Sequence, residues 1–238
     1  MTLQVSGLHV GYATAKVLHG VDLTVGDGES VGLLGRNGMG KTTLVRAICG
    51  LRPPTVSAGS IVFDGVDLAR KTSYQVSHAG IALVPQGRRV FGSLTTLENL
   101  TVVPSRRAPS HAEPWTVERV FEFFPRLAER SKSMARLLSG GEQQMLSIGR
   151  ALMTNPKLLI MDEPSEGLAP SVLDVIQDRL AGLSASGLSI LIAEQNVDLA
   201  LDITSKVVVI DDSGTIAWGG SSDELRADSV ALERHLSI

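Results

Sequence analysis

Nine consecutive residues, Gly35-Arg36-Asn37-Gly38-Met39-Gly40-Lys41-Thr42-Thr43, set three glycines, a lysine and two hydroxyls into the pattern G-x-x-x-x-G-K-[ST]. Residues of these types wrap the phosphates of a nucleotide. Phosphate is dense negative charge, so the backbone must turn several N–H groups inward at close range. Glycine permits such dihedrals and puts no Cβ in the way. Ser30–Leu34 ahead of the loop is a buried-strand pattern, and Leu44–Cys49 behind it reads as a helix ending at Gly50. That helix adds its dipole and unpaired N–H groups. Lys41 then reaches the β- and γ-phosphates, the Thr42 hydroxyl ligates Mg²⁺, and Arg36 to Thr43 as a whole line the phosphates. The alternative, a glycine-rich turn that happens to hold a lysine, leaves the strand, loop and helix in register unexplained.

Asp162 and Glu163 follow the apolar run Leu158–Met161. Alone they would read as two surface acids at a strand end. With a phosphate loop in the same chain, Asp162 is placed to hold Mg²⁺, directly or through water, beside Thr42. Glu163 is placed to polarise an attacking water or take its proton. Ser139-Gly140-Gly141-Glu142 has capping-box spacing and should open a helix over Met145–Met153, which Asn155-Pro156 ends. Tyr12 lies just upstream of the loop in a hairpin, where it either packs or stacks on a base.

Positioning these groups requires an α/β core. Leu3–Val10 and Val17–Val25 alternate as an edge hairpin joined near Gly11-Tyr12, and Ser60–Phe63 is another strand ending in a turn at Asp64-Gly65. Ile81–Val84, Leu158–Met161, Leu188–Ala193 and Lys206–Ile210 are continuous apolar runs, as expected of parallel strands covered on both faces. Such a sheet binds ligands at the carboxyl ends of its strands. Between about Gln86 and Asn155, Pro104, Pro109, Pro114 and Pro125 punctuate short helical segments such as Thr116–Phe124. The expected organisation is one domain over 1–238, with 1–85 and 156–238 as the nucleotide-binding core and 86–155 as an inserted helical subdomain. Pro170 starts a helix with Val172, Leu173, Val175, Ile176 and Leu180 on one face. The pairs Arg88-Arg89 and Arg106-Arg107 read as solvated faces.

A chain of 238 residues can bury a full core, and a net charge of −3 gives no electrostatic footprint for nucleic acid. The lone Cys49 cannot form an internal disulfide and reads as a small buried residue. No apolar run approaches the length of a membrane span, and Met1-Thr2-Leu3-Gln4-Val5 lacks the layout of a signal peptide. The expectation is a soluble, cytoplasmic protein.

The combination resembles the ATP-binding subunits of ABC transporters over essentially the whole chain. Leu138-Ser139-Gly140-Gly141-Glu142-Gln143-Gln144 is similar to the signature motif of that family, and Asp162-Glu163-Pro164 to its acidic motif. The resemblance implies a phosphate-loop ATPase of ABC type with ATP and Mg²⁺: a mostly parallel core sheet, an N-terminal antiparallel β region and an inserted helical subdomain. It makes Tyr12 the adenine-stacking residue. It makes Gln86 the glutamine that links Mg²⁺ and the attacking water to the helical subdomain. It implies that two ATPase subunits face head to tail, Ser139, Gly140 and Gly141 of each capping the ATP held by the other, with Glu163 as the catalytic carboxylate. Transmembrane permease subunits would bind the pair, and a solute-binding protein would act through them, on the inner face of the cell membrane. Exposed Phe91 and Leu94 would meet a short cytoplasmic helix of the permease.

Within the family, Val84–Phe91, Asp162–Pro170 and Glu194-Gln195-Asn196 resemble the shorter ATPase subunit of branched-chain amino acid and amide importers; urea importers share many of these phrases. Two positions depart from the broad pattern. Ala169 replaces an aspartate, and Gln195 stands where most members have the switch histidine. Glutamine can donate a hydrogen bond to a γ-phosphate but cannot carry the charge or shuttle a proton. A soluble non-transport ABC protein would need a coiled-coil insertion or a second cassette. A kinase or GTPase fits neither Ser139-Gly140-Gly141 nor the lack of a guanine-reading Asn/Thr-Lys-x-Asp motif.

Overall fold

The computed structural model describes residues 2–104 and 113–236. The pair Arg106-Arg107 and Pro109 lie outside them. In chain order the elements are β1 (Leu3–Tyr12), β2 (Ala15–Val25), β3 (Ser30–Leu34), α1 (Lys41–Ile48), β4 (Thr55–Phe63), β5 (Val66–Asp67), α2 (Ser73–Ala79) and β6 (Ile81–Val84). Helices α3 (Thr96–Thr101), α4 (Val117–Phe123), α5 (Pro125–Glu129) and α6 (Gly140–Leu152) follow. The chain then runs through β7 (Leu158–Asp162), α7 (Pro170–Ala185), β8 (Ser189–Glu194), α8 (Val197–Ile203), β9 (Lys206–Ile210), β10 (Ile216–Ser221), α9 (Ser222–Ala227) and α10 (Ser229–Leu236).

Two sheets result. One is antiparallel in the order β2-β1-β4-β5; the other runs β10-β9-β3-β8-β7-β6 and is parallel except for β10. The split follows the residue pattern. Every residue of β3, β7 and β8 is buried, which demands cover on both faces, whereas β1 and β2 alternate. The hairpin therefore belongs to a sheet of its own. Its turn falls at Ala13-Thr14, two residues beyond the predicted Gly11-Tyr12, and β4 begins at Thr55, earlier than its apolar residues suggest. One apolar core fills the space between the sheets around α1, and a second packs α3 to α7 against the other face of the parallel sheet.

The parallel register sets the chemistry. Because β3, β6, β7 and β8 run the same way, their carboxyl ends share one edge. There they deliver the phosphate loop, Gln86, Asp162-Glu163 and Glu194-Gln195. Helix α6 starts from a complete capping box: Ser139 Oγ accepts from Glu142 N at 3.3 Å and a Glu142 carboxylate oxygen accepts from Ser139 N at 2.7 Å. Helix α7 starts at Pro170, as predicted, but Ala169 gives it no side-chain cap.

Candidate functional site

The phosphate loop leaves β3 and turns into α1 through Gly40, which sits at φ 105° as the N-cap. A Cβ there would lie 2.7 Å from Leu18 Cδ2, so only glycine fits both the conformation and the space. Met39 packs against the core below, while Arg36, Asn37 and Gly38 stay exposed. Lys41 is 3 % exposed and its ammonium curls back into the loop. It donates to the Gly35 carbonyl at 2.8 Å and the Arg36 carbonyl at 3.2 Å, and pairs with Glu163 Oε1 at 3.2 Å.

Glu163 is held from two directions, because Gln86 Nε2 donates to its other oxygen at 2.9 Å. Its backbone takes φ 48°, an uncommon setting for a non-glycine residue, and its N–H donates to the Ala193 carbonyl of β8 at 2.8 Å. Thr42 Oγ1 donates to Asp162 Oδ1 at 3.1 Å. Burial pushes the Asp162 carboxyl up to about 6, against the pull of the Thr42 hydrogen bond, and the neighbouring Glu163 charge adds to the rise. Lys41, Thr42, Gln86, Asp162 and Glu163, brought together from three strand ends, form one connected cluster.

Gln195 is exposed and shares a cleft of about 290 Å³ with Asn37, Glu163, Ser165, Glu166, Glu194 and Asn196. The Tyr12 hydroxyl lies 3.4 Å from Thr43 Oγ1, which puts the ring beside the loop helix. Ser139, Gly140 and Gly141 stand apart. Gly140 lies under the Arg88 guanidinium and Gly141 against Val172 of α7. The hydrogen bonds of Ser139 run to Glu142 and Gln143 within the start of α6.

Three residues carry more than the sequence suggested. Arg88 is half-buried, not a solvated face, because its guanidinium covers Gly140 and donates to the Gly167 carbonyl at 3.1 Å. Asn99 is fully buried and ties down the segment that follows Gln86. Its Oδ1 accepts from Phe91 N at 2.9 Å, and its amide donates to the carbonyls of Phe91, Leu94 and Thr95 at 3.0, 3.3 and 2.9 Å. Leu94 is half-buried in consequence, while Phe91 is 49 % exposed. Glu194, which the sequence marked only as part of Glu194-Gln195-Asn196, ends β8 as a buried acceptor for four donors. Cys49 is buried, with its thiol pushed up to about 12 by burial, so it is inert.

A phosphate loop at the carboxyl end of a parallel sheet, with an acidic pair on the same edge at the end of the strand but one, defines a phosphate-loop ATPase. The ABC transporter family model matches residues 18–166. The chain belongs to that family and is one of its ATP-hydrolysing subunits, with the antiparallel region and inserted helices of the ABC type. It is 42 % identical over 200 residues, 84 % of either chain, to the high-affinity branched-chain amino acid transport ATP-binding protein BraG of Pseudomonas aeruginosa. It is 33 % identical to the lipopolysaccharide export system ATP-binding protein LptB of Haemophilus influenzae, over 96 % of this chain and 94 % of the relative. Among solved structures it resembles the ADP conformation of an ATP-binding cassette of an ABC transporter, with a TM-score of 0.81, 30 % identity and 98 % of each chain covered. The fold binds nucleotide. No helix of the described residues is long and apolar enough to cross a membrane.

Proposed function

We propose that this chain is the ATPase of an importer for branched-chain amino acids or related amides, acting peripherally on the inner face of the membrane. The connected cluster of Lys41, Gln86 and Glu163 carries the chemical part of this reading. The 42 % identity to BraG supports the solute class over the lipopolysaccharide exporters, which match at 33–34 %. The whole chain acts as one domain, 1–85 and 156–238 holding nucleotide and 86–155 forming the helical subdomain.

The groups around Thr42 fit Mg²⁺: its hydroxyl and the Asp162 carboxylate are hard oxygen ligands in contact, and Gln86, held on the adjacent Glu163, would add its amide oxygen. When bound, the ion neutralises charge on the β- and γ-phosphates. Arg36 to Thr43 hold the phosphates, Lys41 pairing with them in exchange for its contact to Glu163. Tyr12 stacks on the adenine. Glu163, released from Lys41 but still held by Gln86, orients a water and takes its proton, and Gln195 donates to the γ-phosphate. Ser139, Gly140 and Gly141 act on the nucleotide of a second ATPase subunit arranged head to tail.

The permease partner docks beside Phe91. Arg150 stacks its guanidinium 4.8 Å from the Phe91 ring and donates to the Arg89 carbonyl at 2.6 Å. Next to it lies a groove of about 240 Å³ lined by Cys49, Leu51, Val76, Leu83 and Val103, with Arg150 Nη1 a buried donor lacking a partner among the described residues. Apolar walls edged by Ser73, Ser77 and Thr154 suit a short amphipathic helix. Reconstitution with the permease subunits and their binding protein tests the reading: leucine-stimulated ATP turnover is expected, and Phe91→Asp should abolish transport while leaving ATP binding intact. Stimulation by a lipid substrate alone, or crosslinks to the permease only from Leu225–Ile238, would overturn it.

A further inference from the structure

Two loops face each other across the cleft, and each carries one reacting group. The loop after β7 begins at Glu163; the turn after β8 begins at Gln195. A single side chain joins them. Glu194 is 1 % exposed, and its Oε1 accepts from Ser165 N at 2.9 Å. Its Oε2 accepts from Ser165 Oγ at 2.9 Å, Gln195 N at 3.1 Å and Asn196 N at 3.2 Å. Two donors come from each loop. No lysine or arginine pairs with Glu194 among the described ion pairs.

A buried carboxylate without a cation is costly to desolvate and persists only where its hydrogen bonds are strong. Here the charge has a geometric use. One oxygen must accept three N–H or O–H donors while the other accepts a fourth, and only a carboxylate offers acceptors on both atoms. An amide in its place would turn an N–H₂ toward at least one donor. At its far end the loop after β7 has the Arg88 hydrogen bond to the Gly167 carbonyl, but Ala169 gives α7 no side-chain cap.

We propose that Glu194 is a positioning residue: it clamps the loop after β7 to the turn after β8 and so fixes Glu163 and Gln195 relative to each other. The role rests on the reading of Glu163 as the base and Gln195 as the γ-phosphate donor.

The test is Glu194→Gln in the assembled transporter, which keeps the volume and breaks the acceptor pattern. A displaced base slows chemistry more than it weakens binding, so kcat should fall about tenfold to a hundredfold with little change in ATP affinity. Gln195→Ala should then add little to Glu194→Gln, because the donor is already misplaced, and a double-mutant cycle reads that coupling. Wild-type turnover in Glu194→Gln would overturn the proposal. So would a kcat loss that tracks ATP affinity and melting temperature, or two defects that simply multiply. If Glu194→Gln does not fold, Ser165→Ala, which removes only one donor side chain, should lower kcat in the same direction, and an unchanged kcat would refute the clamp. Glu163→Gln run in parallel separates the two readings. If it retains turnover the catalytic reading fails; if it is dead while Glu194→Gln is normal, only the clamp fails.

Discussion

Helices α1 and α6 both begin in glycine-rich turns, yet their N-termini are finished in opposite ways. Helix α1 starts at Gly40 in the left-handed region, with no side-chain cap and no acid in its first turn. Its positive end is left for an anion, and Lys41 beside it adds charge. Helix α6 starts at Ser139 with a closed capping box and already holds an anion of its own, the Glu142 carboxylate. Arg130 lies 3.7 Å from that carboxylate and balances it further. The first terminus is built to take phosphate within this chain. The second is satisfied alone: Ser139 Oγ accepts from Glu142 N, and its hydroxyl proton is the one donor the capping box leaves over.

Breaking the comparison at its glycines should give the largest contrast. Gly40→Ala forces a Cβ into Leu18 at φ 105° and distorts the loop that carries Lys41. Strain of that kind costs about 1–3 kcal/mol, and ATP binding to the isolated subunit should be lost by calorimetry. At Gly140 a Cβ meets only the flexible Arg88 guanidinium, 2.8 Å from Nη1. Gly140→Ala should therefore leave ATP binding to the isolated subunit unchanged and show its effect only in assembled turnover. Equal losses of binding in both variants would erase the distinction.

Gln195→Ala sharpens the same contrast at intermediate size. A hydrogen bond to a charged group contributes about 1.5–3 kcal/mol, so hydrolysis in the assembled complex should slow by roughly tenfold or more while ATP affinity moves far less. An unchanged rate would mean that the cleft works without a residue at this position.

The smallest effect concerns Asp162. Its carboxyl lies near 6 in the fold against 3.8 ordinarily, so the folded chain holds a proton that the unfolded chain has released. The contribution is present below about 3.8 and is lost as pH rises through about 6. At pH 8 the buried charge thus opposes folding, by at most about 3 kcal/mol. Measured in EDTA without nucleotide, Asp162→Asn should melt higher than the natural chain at pH 8, with the gap closing toward pH 5. A gap that widens on acidification would reverse the sign.

Much of this site was legible because its residues are contiguous or sit at the ends of unmistakable strands. The phosphate loop reads off a nine-residue motif, and β7 announces Asp162 and Glu163 through an unbroken apolar run. The capping box of α6 is likewise a local pattern. What escaped the sequence depends on contacts across distance. Arg88 looked solvated until the fold brought Gly140 and Gly167 beneath it. Leu94 looked exposed because nothing local reveals that Asn99 reaches back to hold its carbonyl. Glu194 entered the sequence reading only within Glu194-Gln195-Asn196, since its Ser165 donors lie 29 positions away. The placement of these groups was readable locally; the contacts that hold them there were not.

The account turns on Glu163 as the base of a cluster completed within this chain by Lys41 and Gln86. Steady-state ATP turnover of Glu163→Gln in the assembled transporter tests it most directly, with ATP binding measured on the same preparation. Loss of a general base typically slows a reaction about 10²–10⁴-fold, and that collapse is predicted here with ATP binding retained. Turnover close to that of the natural chain, at full ATP occupancy, would contradict the assignment.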